Sequence, residues 1–191
     1  MYEKIYKEIS KFNKEHLNEK RQKHVKGVVK TAIELAEIYG EDIDKAKLAA
    51  VCHDMYRWVK DEKLARYVDS LGLGEKYKTS PNLAHSKLAA CIVKRDYDVD
   101  DEDIINAISF HTTGRYGMSK LEQIIYLADA IEPNRSYPNV DELRKISKNN
   151  LALACLTSLK STVSFLESQG KEIDYDTLEA VRYFESLKEN I

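Results

Sequence analysis

An all-α fold is the expectation for this chain, and three observations carry it. Apolar residues recur at spacings of three and four along almost every segment. Only three prolines and seven glycines punctuate 191 residues. No stretch alternates apolar with polar residues for long enough to suggest a sheet.

The elements follow in order. A short first helix is expected over about Tyr2 to Phe12. A second runs from near Asn18 to Tyr39, with Val25, Val28, Val29, Ala32, Leu35 and Ala36 as its apolar stripe and Gly40 as its stop. Asp42 caps a helix that carries Ile43, Ala46, Ala50 and His53 on one face. Trp58 to Leu71 is expected to be helical, Gly72 to Asn82 a loop, and Leu83 to Tyr97 a helix with His85 in its first turn. Asp101 to Phe110 delivers His111 at its C-terminal end. Ser119-Lys-Leu-Glu122 is a capping box opening the helix that bears Asp129, and Asn139 to Glu142 and Asp176 to Glu179 read as two further starts of that type. Leu151 to Ser168 lies between those last two helices. No repeat, low-complexity segment or linker divides the chain, so residues 1–191 are expected to form a single domain, a helical bundle.

Bulk properties exclude several classes. A net charge of −2 offers no general nucleic-acid or membrane surface. No run approaches the ~20 apolar residues of a membrane span, and the charged, amphipathic N-terminus has no apolar signal core. Cys52, Cys91 and Cys155 are widely separated, which argues for a reducing compartment and against a structural Cys-zinc site. The expected location is the cytoplasm, and the expected partner a small anionic molecule held by local features.

Those local features are His24, the pair His53-Asp54, and Asp129. Any one of them alone would be read as a packed core histidine or a surface carboxylate. Together they fall on otherwise apolar helices, where a carboxylate is costly to bury unless paired or metal-bound. Asp129 is the clearest case, with Ile124, Ile125, Leu127, Ala128, Ala130 and Ile131 around it. Mixed imidazole and carboxylate donors suit a divalent transition metal such as Fe, Mn, Co or Zn. His85 and His111 form the next pair, for a second ion with Asp54 bridging or for substrate phosphate.

His111-Thr-Thr-Gly-Arg115 offers donors to an anion. Arg57 and Arg135 offer planar forks to phosphate oxygens, and Arg21, Lys26, Lys87 and Arg115 carry weaker versions of that reading. His16 is expected to be exposed, and Cys52 to pack as a small apolar residue.

The set His24, His53-Asp54 and Asp129 resembles the HD-domain metal-dependent phosphohydrolase superfamily. The words Ala49 to Asp54, His85 to Ala90, His111 to Arg115 and Leu127 to Arg135 together look like its bacterial YqeK family, from about Arg21 to Lys148. The resemblance implies a dinuclear, iron-type hydrolase that cuts diadenosine tetraphosphate symmetrically to two ADP. By residue-wise carry-over His24, His53, Asp54 and Asp129 are metal ligands, and His85 and His111 complete a second metal or touch phosphate. Arg57, Thr112 and Arg135 then hold the phosphates. Many HD proteins carry Lys where this chain has Arg57, which keeps the charge and changes its geometry.

The implied chemistry is attack of a metal-activated water on phosphorus, with Asp54, beside His53, orienting that water or taking its proton. The alternatives are another HD-type nucleotide phosphohydrolase, such as a nucleotidase, a guanosine tetraphosphate hydrolase or a cyclic nucleotide phosphodiesterase, and a non-catalytic nucleotide sensor. The segment Gly170 to Thr177 is read as a loop that closes over a nucleotide base.

Overall fold

The computed structural model describes residues 1–188, and its regular structure is helical throughout. Helices α1 (Tyr2–His16), α2 (Glu19–Tyr39) and α3 (Ile43–Cys52) come first. After a turn, α4 (Asp61–Ser70) and a short 3-10 turn (Glu75–Tyr77) lead to α5 (Pro81–Asp96) and α6 (Glu102–Phe110). Helices α7 (Lys120–Ile131), α8 (Val140–Ser147), α9 (Leu151–Ser168) and α10 (Tyr175–Lys188) complete the described chain.

α3 and α7 pack against each other and against both α2 and α6 at the centre, with α5 on α6, α1 on α3 and α9 on α7. α3 reaches this position because Ala46, Ala49 and Ala50 are fully or almost fully buried and let neighbours come close. α7 supplies the larger fill, Leu121, Ile124, Ile125 and Leu127. No described helix is long and apolar enough to cross a membrane.

Local chemistry accounts for most boundaries. Asn18 caps α2 through Arg21 N, and Gly40 ends it in the left-handed region at φ +61°. Asp42 accepts from Asp44 N and Lys45 N, and Ser119 and Glu122 form the reciprocal capping box of α7.

Five expectations are corrected. α1 continues to His16 rather than Phe12. α4 starts only at Asp61, because residues 53–58 form a tight turn, with Met55 inside it and Val59 just after it buried in the core. α5 begins at Pro81, a residue suited to the first helical position, so His85 lies in the second turn. Asn139 makes no side-chain cap and sits at φ +67°, and α10 is capped by Asp174, whose Oδ1 accepts from Asp176 N at 3.1 Å.

Candidate metal centre

The ends of three helices, α3, α6 and α7, and the interiors of two, α2 and α5, aim side chains at a common point. His53 is the C-terminal cap residue of α3 and is completely buried, with Asp54 next to it at the start of the turn. Ending α3 here strands its last carbonyls, and two side chains satisfy them. His53 Nδ1 donates to Ala50 O at 2.6 Å, and the buried Asn13 of α1 donates from Nδ2 to Val51 O at 2.8 Å. His111 repeats the device at the end of α6, where Nδ1 donates to Ile108 O at 2.8 Å. His85 does so within α5, donating to Pro81 O at 3.2 Å.

A carbonyl oxygen can only accept, so the proton of each of these three imidazoles lies on Nδ1 and Nε2 keeps its lone pair toward the interior. His24, inside α2, has its Nδ1 held instead by the carboxylate of Glu132, at 3.1 Å to Oε1.

The four Nε2 atoms meet. His24 and His53 approach to 3.4 Å, and His85 and His111 to 3.1 Å. Asp54 lies between the pairs. Its Oδ2 is 3.5 Å from His24 Nε2 and 3.3 Å from His53 Nε2, while Oδ1 is 3.2 Å from His85 Nε2. Asp129 Oδ1 closes the near side, 3.0 Å from His24 Nε2. Lone pairs this close repel unless a proton or a cation lies among them. Ligand atoms of His24, His53 and Asp129 lie within 4.8 Å of one another, as do those of His53, Asp54 and His111. Nitrogen and carboxylate donors in this mixture fit a divalent transition metal.

The electrostatics agree. Burial pushes the Asp54 carboxyl up, but the His53 and His85 imidazoles outweigh it and hold Asp54 well below the usual carboxylate range. Asp129 is likewise held low against burial, by the His24 hydrogen bond and the Arg135 guanidinium. Burial lowers the His53 pKa, yet Asp54 and Asp129 raise it further and the balance is upward. His111 goes the other way. Burial, then the charges of His53 and His85, bring it down to about 3, so it is neutral at pH 7.

A rim of guanidiniums surrounds the centre. Arg21 Nη1 donates to Asp54 Oδ2 at 2.6 Å. Arg135 Nη2 donates to Asp129 Oδ1 at 2.5 Å and Nε to Asp129 O at 2.8 Å. Half-buried Arg57 donates to Asn82 Oδ1 at 2.6 Å. Thr112 Oγ1 stands 3.3 Å from His111 Nε2, at the edge of the imidazole cluster.

The structure therefore brings together His24, His53, Asp54, His85, His111 and Asp129, with Thr112, Arg57 and Arg135 around them. Other sequence candidates fall elsewhere. Arg115 is paired through two bonds with Glu122, and Lys26 is exposed. Lys87 lies over the Phe110 ring. The segment Gly170 to Thr177 is tied at Asp174 Oδ2 to Lys76 Nζ, 2.8 Å away beside the 3-10 turn.

Sequence reasoning missed four residues. Glu132, 1% exposed, orients His24, and Asn134 in turn donates to Glu132 Oε2 from N and Nδ2, each at 2.7 Å. Gly27 makes room for that carboxylate, since a Cβ there would stand 2.3 Å from Glu132 Oε2. Arg144 fastens the turn after α7, donating to the carbonyls of Ile131, Glu132 and Arg135 at 2.9 Å each. A glycine inside a helical stripe and a glutamate ending an apolar helix were the available signals.

Comparison with known proteins places this arrangement. The HD domain model matches residues 21–134. A protein of Bacillus subtilis named symmetrical bis(5'-nucleosyl)-tetraphosphatase is 41% identical over 86% of this chain and 89% of its own length. A protein of that name from Halalkalibacterium halodurans is 42% identical over the same shares, 86% and 89%. An HD superfamily hydrolase of known structure from Clostridium acetobutylicum, described as involved in NAD metabolism, superposes with a TM-score of 0.87. It is 39% identical and covers 95% of this chain and 97% of its own. On its fold, its clustered imidazoles and carboxylates and these relatives, the chain belongs to the HD-domain hydrolases, in their YqeK-type branch.

Proposed function

We propose that this protein hydrolyses diadenosine tetraphosphate symmetrically, adding one water across the central anhydride to yield two ADP. The observation that carries the reading is the position of Asp54. Its two oxygens face two different imidazole pairs, with guanidiniums of Arg21, Arg57 and Arg135 around them. That arrangement suits a bridged pair of cations facing a polyanion. The relatives named symmetrical tetraphosphatases align over most of both chains, which supports this substrate.

His24, His53, Asp54 and Asp129 would hold one divalent ion, and His85 and His111, sharing Asp54, a second. The donor set suits iron first, with manganese, cobalt or zinc able to replace it. Such ions lower the pKa of a water toward neutrality and polarise phosphoryl oxygens.

The protein's own side chains do the rest. Asp54, held ionised, is available to orient the attacking water or accept its proton. Neutral His111 keeps its Nε2 lone pair for a ligand. Arg57 and Arg135 draw charge from the phosphates as it develops on the leaving ADP, and Thr112 adds a hydroxyl. Residues 1–191 act in this reading as one domain in the cytoplasm, supported by a core running from Ile5 to Phe184.

The test is anaerobic incubation of the purified protein with Fe(II) or Mn(II) and diadenosine tetraphosphate, with products separated by chromatography. ADP alone is expected. ATP plus AMP would overturn the symmetrical cut. Binding of metal without any turnover would overturn hydrolysis of this substrate.

A further inference from the structure

Helix α7 ends beside the metal centre, and its last carbonyls, from Asp129 to Glu132, are each taken by a side chain further along the chain. Asp129 O accepts from Arg135 Nε at 2.8 Å, and Ala130 O from the Tyr137 hydroxyl at 2.9 Å. Ile131 O and Glu132 O accept from Nε and Nη2 of Arg144, each at 2.9 Å. Pro133 follows the cap residue Glu132 and has no N–H, so continuing the helix could not satisfy these oxygens.

Arg144 holds more of this turn than any other side chain. Its Nη2 also reaches Arg135 O at 2.9 Å, so one guanidinium spans the backbone from Ile131 to Arg135. Two groups on that turn act on ligands of the proposed metal centre. Glu132 holds Nδ1 of His24, and Arg135 holds the carboxylate of Asp129. Arg144 touches neither ligand, and its remaining bond goes to Asp141 Oδ1 on its own helix.

The other end of α8 is fixed to α2. The Tyr39 hydroxyl donates to Ser147 O at 2.7 Å, and Lys148 pairs with Glu34 at 2.6 Å. Val140 and Leu143 bury the inner face of α8 between these ends. A closed frame results, because α2 is also the helix that bears His24. It runs from His24 to Glu132, along the turn to Arg144, and through α8 back to Tyr39. The planar fork of a guanidinium can serve three carbonyls at once, which a lysine ammonium on its flexible stem does poorly.

We propose that Arg144 is a positioning residue for the metal centre. By bonding three carbonyls of the turn after α7, it holds Glu132 against His24 and Arg135 against Asp129. It thereby sets the affinity for a divalent metal from outside the site. The inference rests on the reading above that His24 and Asp129 are metal ligands.

An arginine that merely stabilises the fold would leave the metal affinity of the folded protein unchanged. The experiment therefore titrates Mn(II) calorimetrically into the full chain, well below the melting temperature of every variant. Arg144→Lys, which keeps the charge and loses the fork, is expected to weaken Mn(II) by about 10-fold, the lower end for a group supporting a ligand. Arg144→Met should weaken it at least as much. Arg144→Lys combined with Glu132→Gln should lose less than the product of the two single losses, because both act on the same imidazole.

Ser147→Ala is the control for stability. It removes the Ser147 Oγ bond to Arg144 O inside α8 and leaves the guanidinium bonds in place. A lower melting temperature with normal Mn(II) affinity is expected there. Normal affinity in both Arg144→Lys and Arg144→Met, with only the melting temperature lowered, overturns the inference. Fully multiplicative losses in the double variant overturn the route through Glu132. An unaltered chain that binds no Mn(II) overturns the metal centre itself and the inference with it, an outcome seen before any variant is compared.

Discussion

The His24 imidazole presents Nδ1 to Glu132 Oε1 at 3.1 Å, across 108 residues of sequence. The other nitrogen of the ring lies 3.0 Å from Asp129 Oδ1, so one face of α7 and its cap residue grip both ends of the imidazole. Carboxylates outside a metal's own ligands set ring orientation and raise ligand basicity. Glu132→Gln, which keeps the shape and loses the charge, is expected to weaken divalent metal binding by about 10- to 100-fold. Calorimetric titration of Mn(II) checks this, with circular dichroism confirming that the helices persist. Unchanged affinity would show that Glu132 is merely a buried acid.

Gly27→Ala tests the same relationship from the opposite side. Helix propensity alone favours alanine by about 1 kcal/mol. The new Cβ would stand 2.3 Å from Glu132 Oε2, an oxygen already bonded twice to Asn134. Displacement is therefore expected to win: no rise in the thermal midpoint, and weaker metal binding. A stabilised variant with normal metal affinity would mean that the carboxylate yields freely.

Asp54→Ala removes both oxygens that face the imidazole pairs. Turnover is expected to fall by more than about 100-fold, past the loss typical of a ligand's supporting partner. Metal stoichiometry should drop with it while the far-ultraviolet circular dichroism spectrum stays helical. Near-normal turnover with metal bound would remove Asp54 from the chemistry.

Lys87 yields a prediction about pH. Its ammonium donates to Ser109 Oγ at 3.1 Å and lies 3.5 Å from the centre of the Phe110 ring. Burial pushes its pKa down to about 8, below the ordinary lysine value of the unfolded chain. Between those two values the unfolded state binds more protons, so this group's contribution to stability rises with pH, and its penalty is complete below about 8. Lys87→Met should raise the melting temperature at pH 7, and the gain should shrink as pH climbs toward 10. A gain independent of pH would point to packing rather than charge.

The residues legible in the sequence were those that violate a pattern. His53, Asp54 and Asp129 interrupt apolar stripes, and the helices around them followed from spacing and caps. What stayed hidden were relationships between distant segments. Glu132 looks like an ordinary helix end until α2 is laid beside it, and Gly27 looks like a weak point of its helix. Asn139 carried the right letters for a cap, but the chain enters α8 there at φ +67°, which points its side chain away from that role. The helix expected from Trp58 starts only at Asp61, because residues 53–58 are a turn, with Met55 inside it and Val59 just after it buried in the core.

The bond from Asn13 to Val51 O bears on where the HD machinery begins. The recognisable signature starts at residue 21, yet the carbonyl two residues before His53 depends on Asn13, a donor eight positions ahead of that start. A fragment cut at the signature's edge would leave that carbonyl bare inside the core, at a cost of about 1–3 kcal/mol. Grafting this histidine–aspartate turn into another helical scaffold thus requires an outside donor in the position of Asn13, and not His53 and Asp54 alone.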